Sequence, residues 1–359
     1  NDRIEMLRDA PLVDFAATSK PADGGVPLAA GIAGVTLTTA PLVQPILGAS
    51  GWLGAVPSTG SLTATLTRTA SGATSSWLAV AGGLTVANLV IDGACTVRQV
   101  QDGSGIAAQH ALIEVTGASS SLAIGAGATL RNAYNAAGPG GAVHASGGAT
   151  ARMAAGASIT GCTAADGGGV AIDVATFVQS GGSVTSNVAA RFGGGVYVGP
   201  QATATLSGLA EVRGNTAKRT GGGLFVDAAA RLTVSGGTIA GNAASAENND
   251  GGTYAGAYVG GVGLGAFAGT TPLVTVSGAT LISGNLGRAV NGSAADVPKA
   301  SDLETARAGT SLALAVDSSG LAPTAAIGIT AADPALLAAG AQFATLLLGV
   351  MIFVDDYFN

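Results

Sequence analysis

Glu114 and His144 could act as an acid–base pair, because the sequence places them at equivalent positions of neighbouring structural repeats. Successive repeats of stacked β-strands lie about 5 Å apart. A general base must come within hydrogen-bond reach of the proton that it removes, and this spacing would allow it. The alternative is a surface ion pair worth less than about 1 kcal/mol. We favour the ion pair and assign no catalytic residue.

Asp173 and Asp227 are the next candidates, since both follow a strand at the same offset. They stand two repeats apart with Gly199 between them, which implies a gap of roughly 10 Å. A Ca²⁺ centre needs several carboxylates close together. We therefore predict no metal site and no cofactor. Four charged residues at the repeat corners are interpreted as a solvated edge: Asp166, Arg191, Lys218 and Arg219.

The repeats that position these side chains are marked by a recurring glycine run. Each run leads into a short apolar strand, and the strands begin at Val143, Val170, Val196 and Leu224, in steps of 27, 26 and 28 residues. A later strand at Val262 follows after 38 residues. Each repeat contains three short β-like segments bounded by Gly, Ala, Ser or Asn. Such a pattern is typical of a solenoid.

Three short strands in each repeat of about 27 residues predict an all-β, right-handed parallel β-helix of about ten coils. Antiparallel hairpins fit poorly, because two-residue hairpin turns do not recur. We expect an N-terminal lead over 1–30, the β-helix over 31–310 with an insertion at 243–259, and a C-terminal capping segment over 311–359. No segment has convincing helical periodicity, with the tail around 334–342 as the one candidate.

An Asn recurs at one corner of the coils. Asn187, Asn215, Asn242 and Asn285 each follow an apolar strand residue by three positions, and Cys162 takes this place one coil earlier. Asn tolerates the left-handed backbone of a sharp corner. Stacked Asn side chains can also hydrogen-bond along a ladder. We interpret the five residues as a structural corner ladder.

The two cysteines are predicted to be unpaired thiols. Cys95 and Cys162 are 67 residues apart, or about two and a half coils. The stacking then separates them by roughly 12 Å along the axis. A disulfide requires Cα atoms within about 7 Å of each other.

Aromatic side chains suggest a possible contact surface. Tyr197 and Phe225 occupy an outward column that also contains His144, and their rings on neighbouring coils would stack. The alternative is that the rings only cover the sheet. Tyr254 and Tyr258 of the insertion complete the set. The insertion also holds acidic and amide side chains that could bind Ca²⁺, but a plain loop is favoured.

Composition excludes several classes of protein. Charged residues make up 10% of the 359 residues and the net charge is −6, with no Lys/Arg cluster. A nucleic-acid partner needs a basic face, so none is expected.

The longest apolar run, 343–354, has 12 residues, whereas a membrane helix needs about 20, so we expect a buried strand or cap. The sequence begins at Asn1 and shows no signal peptide, which suits a mature exported protein or a trimmed chain.

Three segments carry a resemblance to a known family: GGTIAGNAAS at 236–245, NVAARFGGGVYV at 187–198 and NTAKRTGGGLFV at 215–226. They resemble the repeats of bacterial surface-exposed right-handed β-helix proteins, and are similar to the Gly-Gly-Ala repeats of polymorphic outer-membrane autotransporter passengers. The resemblance covers roughly residues 30–330. It identifies fold and setting more specifically than activity.

The resemblance implies a bacterial cell-surface or extracellular protein with a structural or adhesive role, and no enzyme. Expected partners are copies of the chain or host and extracellular surface molecules. The first alternative is a self-assembling subunit of a filament, sheath or surface layer, since open solenoid ends expose unpaired strand edges. The second alternative is a polysaccharide-active β-helix enzyme.

Overall fold

The structure is a computed structural model that describes most of the chain. The described residues are 3–6, 10–11, 26–28, 35–39, 43–48, 51–57, 64–68, 78–102, 110–245, 258–265, 273–287, 299–306, 314–331 and 351–354. Almost all regular structure in them is β-strand.

The first half of the described elements are β1 (Arg3–Met6), β2 (Ala10–Pro11), β3 (Val26–Leu28), β4 (Val35–Thr39), β5 (Val43–Gly48), β6 (Gly51–Pro57), β7 (Ala64–Thr67), β8 (Leu78–Val80), β9 (Gly83–Ala87), β10 (Leu89–Asp92), α1 (Val97–Asp102), β11 (Ile113–Thr116), β12 (Ser121–Ile124), β13 (Thr129–Arg131), β14 (Tyr134–Pro139), β15 (Val143–Ser146), β16 (Thr150–Met153), β17 (Ser158–Thr160) and β18 (Thr163–Asp166). The remainder are β19 (Val170–Asp173), β20 (Thr176–Gln179), β21 (Ser183–Thr185), β22 (Val188–Ala189), β23 (Val196–Val198), β24 (Thr203–Arg213), β25 (Thr216–Ala217), β26 (Leu224–Val226), β27 (Arg231–Ala240), β28 (Ala243–Ala244), β29 (Val262–Leu264), β30 (Leu273–Gly278), β31 (Leu281–Ser283), β32 (Leu286–Gly287), β33 (Lys299–Ala300), β34 (Leu303–Ala306), β35 (Leu314–Leu321), β36 (Ala326–Ala331) and β37 (Met351–Val354).

All the described strands except β5, β6 and β33 form four stacks of parallel pairs. Stack 1 contains β3, β8, β11, β15, β19, β23, β26, β29 and β34. Stack 2 contains β1, β4, β9, β12, β16, β20, the first halves of β24 and β27, β30 and β35. Stack 3 contains β2, β7, β10, β13, β17, β21, the second halves of β24 and β27, β31, β36 and β37. Stack 4 contains β14, β18, β22, β25, β28 and β32.

The pairing confirms the predicted fold class and the period of the repeat. In stack 1, Val143 pairs with Val170, Val170 with Val196, Val196 with Leu224 and Leu224 with Val262. Each step along the chain is therefore one turn of a parallel β-helix. The right hand and the total of about ten coils stay predictions. Antiparallel pairing joins β5 to β6 and β32 to β33.

Stack 4 was not expected, because the sequence suggested three strands in each coil. Its members have two to six residues and follow the Asn corner directly. Segments this short carry no readable alternation of apolar and polar residues. Their pairing with the equivalent segment of the next coil still satisfies backbone groups that would otherwise lack partners.

The core is built from columns of inward side chains, and one column of stack 2 alternates large and small residues. In stack 2, Phe177 pairs with Ala151 on one side and Ala204 on the other, and all three are buried. Coils are only about 4.8 Å apart, so a phenyl ring needs a small neighbour above and below. Ala151 and Ala204 therefore make room for Phe177 between them.

The corner ladder is present and buried, and its hydrogen bonds run head to tail. The Asn187 side chain donates to Oδ1 of Asn215, Asn215 to Asn242, and Asn242 to Asn285, at 3.0, 2.9 and 2.9 Å. Each of these Oδ1 atoms also accepts from the backbone N–H of the preceding member. Cys162 joins the ladder through its backbone N–H, which donates to Oδ1 of Asn187.

The left-handed backbone predicted for these Asn residues lies one position earlier, so that part of the prediction was wrong. The residues with positive φ that precede ladder members are Gly161, Ser186, Gly214, Gly241 and Gly284. The structural role of the Asn residues is instead the hydrogen bonding of their side-chain amides along the ladder. Glycine adopts a positive φ with no steric cost.

Neither cysteine forms a disulfide, as predicted, and both are buried. Burial raises the pKa of the Cys162 thiol to about 12, despite a hydrogen bond from the backbone at Ala133 that lowers it. A thiol with such a pKa is protonated and unreactive at neutral pH.

One short helix was not predicted from the periodicity of the sequence. Helix α1 has six residues and begins with a capping box, in which the backbone N–H of Thr96 donates to Oε1 of Gln99 and the N–H of Gln99 donates to Oγ1 of Thr96. The T-x-x-Q pattern was the signal that could have found it.

Some predictions fall outside the described residues: the tail helix at 334–342, most of the insertion (246–257), and the apolar run before Met351. Strands β35 and β36 continue stacks 2 and 3, and β37 pairs with β36. Within the described residues, no helix combines the length and the apolar character needed to cross a membrane.

Candidate functional site

The outward column of stack 1 has the predicted register. Glu114 pairs with His144, His144 with Ala171, Ala171 with Tyr197 and Tyr197 with Phe225. Side chains of one strand alternate between core and surface, so one correct register sets the whole column. The acid–base candidates and the aromatic candidates therefore lie on one face of the β-helix.

Two further polar groups join Glu114 and His144, so these two residues are not an isolated pair. Nδ1 of His110 lies 2.9 Å from Oε1 of Glu114. Nδ1 of His144 lies 4.0 Å from the same oxygen, and its Nε2 lies 3.1 Å from Oδ2 of Asp173. The four side chains form a continuous row, which we call the polar row, and it contains both histidines of the chain.

The polar row holds His144 as an imidazolium. Burial alone would lower the pKa of His144, but the hydrogen bond with Asp173 and the ionic contact with Glu114 outweigh it and raise this pKa to about 9. Burial likewise acts to raise the pKa of Glu114, yet the bonds with His144 and His110 leave it below its ordinary value. At neutral pH His144 is therefore a cation. His144 then has no free lone pair with which to act as a base.

Tyr197 is also held by a carboxylate, that of Asp227. The Tyr197 hydroxyl donates to Oδ2 of Asp227 at 2.5 Å, and burial together with this bond raises the pKa of Tyr197. A Cβ added at Gly199 would lie 2.1 Å from Oδ1 of Asp173 and 3.0 Å from Cε1 of Tyr197. Because Gly199 has no side chain, the Asp173 carboxylate and the Tyr197 ring can lie close to its backbone.

These pairings give each Asp a protein partner, so neither points to a metal. No group of three His, Cys, Asp or Glu side chains among the described residues is placed to hold an ion. Asp173 was missed as a partner of His144 because it lies two positions beyond the column, opposite Ser146. The signal was its offset, since a carboxylate at the strand end reaches diagonally to the neighbouring coil.

An aromatic stack lies beside the polar row. The rings of Tyr197 and Phe225 are 5.9 Å apart and nearly parallel, and Phe192 stacks on the other side of Phe225 at 4.6 Å. The guanidinium carbon of Arg219 lies 5.5 Å from the centre of the Phe192 ring. The repeat spacing did not predict a role for Phe192, which directly precedes a glycine run and forms a β-bridge with Thr220.

The predicted stacking of Tyr197 and Phe225 is correct, but the predicted exposure is wrong for Phe225. Only 2% of Phe225 is exposed, because Phe192 covers it. Tyr258 is buried against Ala244 and is no exposed contact residue either. Tyr254 lies outside the described residues. Half-buried Tyr197 and His144 remain as candidates for a contact surface.

The predicted solvated edge is also partly buried. Asp166 is buried and forms a bidentate ion pair with Arg191 across neighbouring coils. Arg219 is buried on the Phe192 ring. A guanidinium can stack on an aromatic face and still bind a carboxylate, which explains how Arg residues reach such positions.

Comparison with family models, with curated proteins and with solved structures found no match to this chain. The site itself therefore carries the functional argument. It offers fixed charges, a half-exposed phenol and a covered aromatic stack along one face of a regular scaffold.

Proposed function

We propose that the protein is a bacterial cell-surface or extracellular β-helix that acts as a rigid adhesive scaffold and not as an enzyme. The face of stack 1 is its contact surface. Its partners are host or extracellular surface molecules, or other copies of the chain.

The observation that carries the proposal is that the polar side chains on this face are bonded to one another. His144 is hydrogen-bonded to Asp173 and in ionic contact with Glu114, and the Tyr197 hydroxyl donates to Asp227. Each group is held in one orientation and one charge state, which suits recognition of a surface. A catalytic base near pH 7 would instead need a pKa close to that value.

Partial exposure supports the same proposal. The side chains of His144, Glu114 and Asp173 are 21%, 25% and 35% exposed. A partner can therefore reach these side chains from the outer side of stack 1, while their contacts with one another hold them in place. Charges that are fixed before contact lose little entropy on binding.

The test couples the purified protein to fluorescent beads and measures retention on arrays of extracellular glycans and matrix proteins. We expect at least one class of ligand to retain the beads. The double variant His144→Gln with Tyr197→Phe should release them, because it removes a cation and a hydroxyl while keeping both side-chain shapes. Arg152→Gln, on the outer side of stack 2, is the matched control and should be retained normally. Retention that survives the double variant would contradict the role of this face.

A polysaccharide-active enzyme is the second candidate, because Glu114 and Asp173 are two carboxylates on one outward face with an imidazolium between them. Incubation with neutral and uronate polysaccharides, followed by chromatography of the products, separates the two functions. Cleavage that Asp173→Asn abolishes would establish the enzyme. Electron microscopy of the same material detects filaments or sheets, which would favour a self-assembling subunit.

A further inference from the structure

A cleft of about 310 Å³ lies between helix α1 and the outer surface of stack 4. It is on a different stack from the polar row, so it is independent of the proposed function. Val97 and Val100 of the helix form one wall, and residues of β14, β18 and β22 form the other. Small-molecule sites in proteins span about 300–1,000 Å³, which places this cleft at the lower end of that range.

One side chain in the cleft lacks a partner among the described residues. Thr163 is 6% exposed and lines the cleft, and its hydroxyl has no hydrogen bond to any of them. A buried hydroxyl without a partner costs free energy, and most buried polar atoms in proteins avoid this state. The hydroxyl group both donates and accepts, so a ligand with either function would satisfy it.

The other lining groups define the chemistry of that ligand. Val188, Ala164 and Ala190 make the sheet wall apolar, and the Tyr134 ring adds an aromatic surface. Lys218 supplies a cationic group. None of the described lining residues is acidic, although the chain has a net charge of −6. A cation beside an apolar wall is complementary to an anion that carries an apolar body.

We propose that this cleft binds a small monocarboxylate with a short apolar chain or ring. The apolar body packs on the valines and Tyr134, and the carboxylate accepts a hydrogen bond from Thr163 and faces Lys218. The volume, at the lower end of the range for small-molecule sites, favours a small ligand.

The experiment measures binding of benzoate and of hexanoate to the full chain by ligand-observed NMR and calorimetry, with benzamide as the neutral counterpart of benzoate. Ligands of this size reach dissociation constants on the order of 1 mM. We expect benzoate to bind at least fivefold more tightly than benzamide. Lys218→Met should remove that preference.

Thr163→Val isolates the hydroxyl, because it keeps the side-chain shape and breaks no hydrogen bond within the described part of the protein. It should weaken benzoate binding about 5–20-fold and leave the thermal melting temperature unchanged or higher. Thr216→Val is the matched control, since Thr216 occupies the same position of stack 4 two coils further on and does not line the cleft. It should bind benzoate as the unmodified protein does.

Ala190→Leu tests whether the ligand binds in this cleft. The larger side chain fills the cleft and should abolish binding, while circular dichroism reports whether the β-helix is retained. Three results would overturn the proposal: no binding of either carboxylate, equal affinity for benzoate and benzamide, or unchanged binding in both Thr163→Val and Ala190→Leu.

Discussion

Nε2 of His144 lies 3.1 Å from Oδ2 of Asp173, although Asp173 stands two positions beyond the residue that pairs with His144 on the next coil. This diagonal contact turns a column of separate side chains into a connected row. It also places an ionic contact where its protonation can be measured directly, because the chain contains only two histidines.

We expect His144 to titrate with a pKa near 9. The folded pKa is above the unfolded value of about 6.5, so the stabilisation is complete below about pH 6.5 and is lost as pH rises through about 9. Its size is on the order of 2–3 kcal/mol. Imidazole resonances in NMR give the pKa, and urea unfolding between pH 6 and 10 gives the stability.

The control for this prediction is His144→Gln, whose unfolding free energy should lack the difference between pH 6.5 and 9. Asp173→Asn should lower the pKa of His144, since it removes the charge that faces Nε2. A His144 resonance that titrates at the ordinary value in the unmodified protein would contradict the ionic contacts of the polar row.

Asn215→Ala should destabilise the protein by about 3–5 kcal/mol. It removes the acceptor for Asn187, leaves the carbonyl of Val184 without its side-chain donor, and takes from Oδ1 of Asn242 one of its two donors, since the backbone N–H of residue 215 remains. Asn215→Asp keeps the acceptor but places a carboxylate against two oxygens, so its cost should be at least as large above pH 5. Denaturant unfolding measures both, and Thr205→Val on the outside of stack 2 should stay within about 0.5 kcal/mol. A change below 1 kcal/mol at Asn215 would show that the ladder contributes little.

Val174→Asn should stabilise the protein by about 1 kcal/mol. Val174 has a φ of 49° and is 53% exposed, so a β-branched residue occupies a left-handed position with little burial in return. Asn adopts this conformation more readily, and the backbone bonds of Val174 to Gly148 and Pro200 do not involve the side chain. The same change at Val178, a regular position of β20, should destabilise because Asn is disfavoured in strands. Thermal unfolding of the two variants should therefore shift in opposite directions.

Neither thiol should react with an alkylating reagent in the folded protein at pH 7.5. Cys95 and Cys162 are buried, and the pKa of Cys162 is about 12. Full denaturation without reductant should release two reactive thiols per chain, which mass spectrometry counts. Rapid labelling of either residue before unfolding would mean that its coil opens locally.

The register of stack 1 could be predicted because the glycine runs mark the same point of every coil. Once Val143 and Val170 are aligned, the side-chain alternation of a strand places Glu114, His144 and Tyr197 in one outward column. The ladder followed from the same alignment. These are properties of backbone spacing, which a repeated sequence records directly.

Contacts between columns could not be predicted in this way. Asp173 reaches His144 and Phe192 covers Phe225 because of side-chain length and direction at a corner, and the spacing of apolar residues carries no such information. The left-handed position was assigned to the Asn residues on propensity alone. Ser186 and the glycines that precede the other Asn residues adopt it instead.

The corner ladder has a direction as well as a set of bonds. Each amide accepts from the preceding coil and donates to the following one, so the amide dipoles from Asn187 to Asn285 add along the axis. Their positive end meets Oδ1 of Asp302, which accepts both the backbone N–H and the side-chain amide of Asn285, at 2.8 and 2.6 Å. A buried carboxylate at that end is stabilised as an anion is at the start of an α-helix. The rod therefore has an electrostatic polarity in its interior that its aliphatic core does not reveal.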